Sequence, residues 1–502
     1  MFRHKVYCAL RKPASQRLLA LQRETDVACS FCSTAASNST SKPPPSSSSS
    51  SSPTTSSSSS SSSSPFATEP SVPKFEPDNG RIAFQHHSTS ELLLALSLLE
   101  LCRFRPLVEV GARVCDWAAE ACKEAEEGNK GSRMSAATLV ASPLLWAVRH
   151  TTFKHFNGGE TLEECLKKSE ALAKYNVQTI VDHGVEEATG SNAWNINADQ
   201  KIQILRDASK ALGKRCAFMP LKLTALLSPS LLERLTSAWV QEDGSLTFPA
   251  SSSELLAGLS DDDSKLLQEA LARLDRICEE ASEQGVPLLL DAEQSTRQPA
   301  VHLLANALQR KFNRGGRCIV YDTFQMYLEA SPKRLEGALA AAKTGDYAFA
   351  VKLVRGAYVE QERAAKCLQS SKAATDVAYD AAAARLLQAV RDPFDARVAL
   401  LLATHNRTSL ELAVARMNDL KLPSNHGRIH FAQILGMVDN LTNSLGAASY
   451  NATKLVVFGE VVQVLPWLMR RVQENRDAFG AQAAELPVLR NEVFRRLNPL
   501  RR

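Results

Sequence analysis

The chain has 502 residues, 44% of them hydrophobic and 23% charged, with 59 Lys and Arg against 54 Asp and Glu. Seven of those bases and only two of the acids fall in residues 1–68, so the whole +5 excess lies there and the rest of the chain is balanced. The body therefore lacks the local Lys and Arg surplus of a nucleic-acid surface, and no apolar run reaches the ~18 residues of a membrane span.

Residues 1–35 are Arg-rich, Ser-containing and almost free of acid, with Leu18, Leu19 and Leu21 able to line one helix face. That composition suits a mitochondrial transit peptide and not a secretory signal. Residues 36–83 carry Pro43, Pro44, Pro45 and long serine tracts, and read as a disordered linker. Ser88 with Glu91 forms a capping box, which opens an N-terminal helical region over 84–172. The eleven cysteines are scattered and odd in number, which fits a reduced compartment. Neither the lone Cys29–Cys32 pair nor the histidines have metal-ligand spacing, so no metal is expected.

From 173 to 500 the pattern changes. Short apolar runs at 177–182, 217–224, 286–291, 318–322, 348–354, 398–404, 429–434 and 455–458 alternate with amphipathic segments such as 261–284, 331–343, 408–417 and 461–475. Eight such units predict an α/β fold, a (βα)8 TIM-like barrel, with an open doubly wound sheet as the other solution. Neither a G-x-G-x-x-G nor a G-x-x-x-x-G-K-[ST] fingerprint is present.

Barrel chemistry collects at the C-terminal strand ends. There the sequence places Lys222, Asp291-Ala292-Glu293, Asp322, Lys352, Arg355-Gly356-Ala357-Tyr358, Thr404-His405-Asn406 and Gln433, with Arg470, Arg471 and Glu474 on the last helix. Bases outnumber acids in this set, so an anionic ligand is implied. Arg470 and Arg471 read equally well as a fork for a carboxylate or as a basic solvent face.

Certain segments are more specific: TFKHFNGGET (152–161), IVDHGVEE (180–187), LLLDAEQS (288–295), KLVRGAY (352–358), ATHN (403–406), AQILGM (432–437) and VLPWLMRRVQEN (464–475). On these, residues 84–500 closely resemble the proline dehydrogenase (proline oxidase) family of mitochondrial flavoenzymes. The resemblance implies a barrel that binds FAD without a Rossmann domain. It implies oxidation of L-proline to Δ1-pyrroline-5-carboxylate, the first step of proline catabolism to glutamate. Hydride would pass from C5 to flavin N5 and the electrons to a quinone, on the matrix side, with peripheral association with the inner membrane.

The same resemblance assigns roles. Lys352 would lie at the flavin N5 edge, with Asp291 and Tyr358 at the substrate. Asp291 would pair with Arg355. Lys222, Arg470 and Arg471 would hold the carboxylate, oriented by Glu474, and Ile434, Leu455 and Trp467 would wall the ring. Ala292, Asp322, Arg355, Gly356, Ala357, Thr404, His405 and Gln433 would line the cofactor. Three positions depart from the family: Leu455 and Trp467 stand where Tyr is usual, and Asp322 where Asn or Gln normally donates to the flavin. They keep three alternatives open: a hydroxyproline dehydrogenase, a degenerate non-catalytic member, and a Schiff-base lyase using Lys222 or Lys352.

Overall fold

Eight runs of apolar residues become eight parallel strands: β1 (Val177–His183), β2 (Cys216–Leu221), β3 (Leu288–Leu290), β4 (Val320–Gln325), β5 (Ala350–Val354), β6 (Ala399–Ala403), β7 (Ile429–Ile434) and β8 (Ala452–Phe458). In the computed structural model each pairs with the next and β8 closes on β1, so the sheet is a barrel and not an open sheet. The described residues are 74–104, 106, 109–111, 113–114, 117–118, 143–184, 190–392, 397–465, 467–469 and 482–498. The expected leader, most of the expected linker, and Arg470, Arg471 and Glu474 lie outside them.

Strands buried on both faces need apolar residues throughout. The inward set is Ile180, Phe218, Leu289, Tyr321, Ala350, Ala399, Leu401 and Ala432, with Leu455 packed against it. Phe218 meets Tyr321 edge-on at 5.2 Å and His430 at 5.0 Å, so the lower barrel is filled. The outward residues pack under the helices. Those used below are α1 (Thr89–Cys102), α2 (Ser191–Leu212), α3 (Asp261–Gln284), α4 (Gln298–Phe312), α5 (Lys372–Arg391), α6 (Arg407–Asp419), α7 (Asp439–Ala447) and α8 (Gln482–Leu497). The capping box at Ser88 and Glu91 is formed at the start of α1. The acidic run Asp261–Asp263 opens α3 behind the Ser260 cap, where it complements the helix dipole.

Most strand boundaries shift by one to three residues from the sequence reading, and two of the shifts are used below. β8 begins three residues early, at Ala452, and β4 runs three residues past Asp322, to Gln325. The sequence also started the body at Phe84, yet the chain is already packed from Glu76. The buried amides of α7 clamp this strap: Asn440 donates to the Pro77 carbonyl (3.0 Å), Asn443 to Ala83 (2.7 Å) and the Ser444 hydroxyl to Glu76 (3.0 Å). Arg496 of α8 donates to the Phe84 and His87 carbonyls, and Arg407 forks Asp78 at 2.6 Å. Deleting 74–87 strands two buried amides, so denaturant unfolding is expected to show a loss of ~3 kcal/mol. An equally stable truncated chain would reduce the strap to decoration.

Candidate active site

Side chains in a strand alternate, so residues two beyond the inward apolar layer also face inward, nearer the mouth. That count gives Asp182 above Ile180, Asp291 above Leu289, Lys352 above Ala350 and Ile434 above Ala432. Lys352 and Asp291 meet there: Nζ donates to Oδ1 at 2.8 Å, with both side chains about four-fifths buried. Lys222 follows β2 in extended conformation. Asp182 was absent from the sequence-based set, although counting by twos from Ile180 would have found it. Burial raises its carboxyl group, against the pull of Lys201 on α2, 3.6 Å away, and of Lys222.

Arg355 ends an odd count from Ala350 and faces outward. Its Nε donates to Asp376 (2.6 Å) and its terminal nitrogens to the Thr404 and Ser409 hydroxyls (2.7 Å each), while the guanidinium lies 4.3 Å over the Tyr379 ring. The expected Asp291–Arg355 pair is therefore corrected: Asp291 pairs with Lys352, and Arg355 with Asp376 of α5. Burial works to raise the Asp376 carboxyl group, but hydrogen bonds from Arg355 and Lys372 outweigh it and hold the group low. Asp380, one turn on, accepts from Ser409. Gly356 sits at φ +151°, and a Cβ there would lie 2.2 Å from the Tyr327 ring, so only glycine lets the turn lie flush. Tyr358 then reaches back to donate to the Ala292 carbonyl at 3.2 Å.

Two cofactor assignments change. Asp322 is mid-strand and outward, buried against α4, where both its oxygens face His302 Nδ1 at 2.8 and 3.0 Å. It does not reach the mouth. The amide at the end of β4 is Gln325, inward by alternation and buried, whose Oε1 accepts from the Ala357 N–H at 3.2 Å. The sequence reading missed Gln325 because it ended the strand three residues early. Gln433 also faces outward: its Nε2 donates to the Thr404 carbonyl (3.1 Å) and its Oε1 accepts from Thr442 of α7 (2.9 Å). It supports Thr404 from behind. The Ile434 N–H donates to His405 Nε2 at 3.0 Å, so that nitrogen carries no proton.

Ile434, Leu455 and Trp467 come together as one wall with Met437 and Leu468. Of the inner mouth groups, Lys222 and Lys352 face Asp182 and Asp291, an even balance. The positive excess read from sequence thus rests on Arg470 and Arg471, outside the described residues. Behind the wall, Lys454 points out of β8 with no exposed surface, donating to the Ile434 (3.1 Å) and Met437 (2.6 Å) carbonyls and pairing with Asp439 at 2.7 Å. Glu485 of α8 accepts from the Val438 and Asp439 N–H groups at 2.8 Å each.

Comparison with known proteins bears on the family and the fold. A family model described as proline dehydrogenase matches residues 165–482. The hydroxyproline dehydrogenase of Rattus norvegicus is 34% identical over 468 residues, covering 86% of this chain and 96% of that protein. Proline dehydrogenase 1, mitochondrial, of Dictyostelium discoideum is 31% identical over 388 residues, 71% of this chain and 67% of that protein. Among solved structures, proline utilization A from Bdellovibrio bacteriovorus superposes with a TM-score of 0.60 at 17% identity, over 84% of this chain. This chain spans 44% of that larger protein, and the likeness concerns the fold.

Proposed function

The chain belongs to the proline dehydrogenase family of oxidoreductases, and on that premise we propose that it oxidises L-proline to Δ1-pyrroline-5-carboxylate with FAD. The observation that carries this reading is Lys352, a cation held by Asp291 over the filled barrel. The donor set fits FAD: an ammonium at the barrel centre, a guanidinium fixed at the edge of β5 and β6, and a glycine turn lying flush between them. Bound there, FAD supplies a two-electron acceptor for the hydride from C5 of the ring.

The protein's own groups do the rest. Lys352 puts positive charge where electron density arrives, in a site largely closed to water. Lys222 with Arg470 and Arg471 binds the proline carboxylate, Glu474 orients that helix, and Tyr358 packs on the ring. From its outward seat at the rim Arg355 fixes the Thr404 hydroxyl, and Thr404 borders the cofactor with His405, Ala292, Gly356 and Ala357, while Gln325 takes the place first given to Asp322. Electrons leave to a quinone. Relatives named mitochondrial support a mitochondrial location, and the leader composition is consistent with import. No helix among the described residues is long and apolar enough to cross a membrane.

A hydroxyproline substrate is the second reading. It is favoured by the all-apolar wall of Ile434 and Leu455, by Trp467 in place of the usual Tyr, and by relatives named hydroxyproline dehydrogenase. The deciding test is the absorption spectrum of the purified chain, followed by anaerobic L-proline. A flavin band that bleaches supports the proposal. Bound flavin that bleaches only with 4-hydroxyproline supports the second reading, and no flavin after incubation with FAD sinks both. Leu455→Tyr restores a ring-facing hydroxyl and is expected to shift the kcat/KM ratio of proline to 4-hydroxyproline about tenfold toward proline, the weight of one well-placed polar contact. A ratio unchanged within twofold would remove Leu455 from specificity.

A further inference from the structure

From behind β4 to the barrel mouth runs a set of polar side chains, of which the proposed chemistry uses only Gln325. Gln298, His302, Asp322 and Gln325 are all buried to 2% exposure or less. Buried polar groups persist when they are hydrogen-bonded, and here the direction of every bond can be fixed.

Two backbone groups that cannot exchange roles anchor Gln298. The Glu293 N–H donates to its Oε1 at 2.8 Å, and its Nε2 donates to the Thr323 carbonyl at 2.9 Å. The amide therefore cannot flip. Its Nε2 also faces His302 Nε2 at 3.4 Å, and an amide nitrogen only donates, so His302 Nε2 must accept. A neutral imidazole with a bare Nε2 has its proton on Nδ1, the nitrogen that faces both Asp322 oxygens. An imidazolium, or a proton on Nε2, would set N–H against N–H.

At the other end, Gln325 Nε2 donates to the Glu293 carbonyl (2.8 Å) and to Gln298 Oε1 (3.3 Å). Both of its hydrogens are used, so its Oε1 faces the Ala357 N–H. The donors form one line: Ala357 N–H to Gln325, Gln325 to Gln298, Gln298 to His302, His302 to Asp322. A run of bonds with a common direction reinforces itself in a dry interior.

We propose that Asp322 and His302 are positioning residues: through Gln298 they fix the orientation of Gln325, which holds the Ala357 N–H and so sets the Arg355–Tyr358 turn at the barrel mouth. The proposal rests on the reading of that turn as the cofactor and substrate edge. Asp322 acts as the terminal acceptor, without touching ligand. His302 also stacks on Phe324, with ring centroids 4.1 Å apart and planes at 18°, so a packing role must be separated from a hydrogen-bonding one.

Two variants of the full chain separate them. His302→Gln loses the stack but keeps a donor for Asp322 and an acceptor for Gln298. His302→Phe combined with Asp322→Leu keeps the stack, removes both polar groups and leaves no buried charge, so the protein folds. The readouts are amide hydrogen exchange across 355–358, the dissociation constant for FAD, and KM and kcat for L-proline. His302→Gln is expected to keep exchange and FAD affinity within twofold of the wild type. The apolar double variant is expected to speed exchange and weaken FAD binding about tenfold each, the equivalent of one hydrogen bond, with KM rising more than kcat falls. The proposal fails if the double variant leaves exchange unchanged, or if His302→Gln is as impaired as the double. A wild type that neither binds FAD nor oxidises proline would overturn the functional reading alone, since exchange still decides the positioning role.

Discussion

Lys352→Met is expected to lower kcat/KM for L-proline about 1,000-fold while FAD stays bound, the size of effect seen when one preorganised electrostatic group is removed. The placement of the ammonium makes this specific. Ala350 packs in the filled layer of the barrel, and two residues on, Lys352 has nowhere to go but the mouth. Its register against Thr323 of β4 and Leu401 of β6 leaves the side chain rising from the centre of the sheet. Asp291 restrains it at 2.8 Å. Methionine fills the same volume and removes only the charge, so packing is kept. Asp291→Asn retains the cation but loosens it, and a loss of about 30-fold is expected, since one charge-assisted hydrogen bond is weakened. Stopped-flow bleaching of the flavin under anaerobic proline measures both. A Lys352→Met protein that reduces flavin within tenfold of the wild type would move the key charge elsewhere, to Arg470 or Arg471.

The barrel was legible because a strand buried on both faces has to be an apolar run, and all eight runs overlap strands. The ends of those runs were less legible. In VYDTFQ the polar Asp322, Thr323 and Gln325 are all buried, because each finds a partner behind or beside the strand. An apolar count stops at Asp322, and that error put the wrong side chain at the mouth. The inward or outward sense of each polar residue was readable in principle: counting by twos from Tyr321 or Ala350 turns Asp322 and Arg355 outward. Partners were not readable. Asp376 and Ser409 are 21 and 54 residues from Arg355 and meet it only because α5 and α6 cover that edge of the barrel.

The largest stability effect is expected at Lys454, one residue before the apolar run 455–458 of the sequence reading. Its ammonium satisfies two carbonyls of the β7–α7 connection and the Asp439 carboxylate, in a site with no exposed surface on the lysine. Glu485 holds the same connection through two N–H groups, and Val438 between them is strained, a β-branched residue at φ +48°. The His155 ring bonds the Gly436 carbonyl at 3.0 Å, and burial pushes its imidazole down to about 4, so it stays neutral there. Lys454→Met therefore leaves Asp439 and two carbonyls unmatched and is expected to lose ~3–5 kcal/mol, the usual result of breaking a buried ion pair from one side. Lys454→Met with Asp439→Leu is expected to recover part of it. The pH dependence has a definite sign. Burial alone would raise the Asp439 carboxyl group, but the charge and hydrogen bond of Lys454 hold it low. A depressed carboxyl group contributes stability above its unfolded range of about 4 and loses it in acid. The gap between wild type and Lys454→Met should thus be widest near neutrality and close as pH falls below ~4. Urea unfolding at pH 7 and pH 4 checks the direction. Because the freed carbonyls belong to Ile434 and Met437, the same variant should raise KM through the pocket wall. A KM unmoved in a destabilised protein would confine Lys454 to the fold.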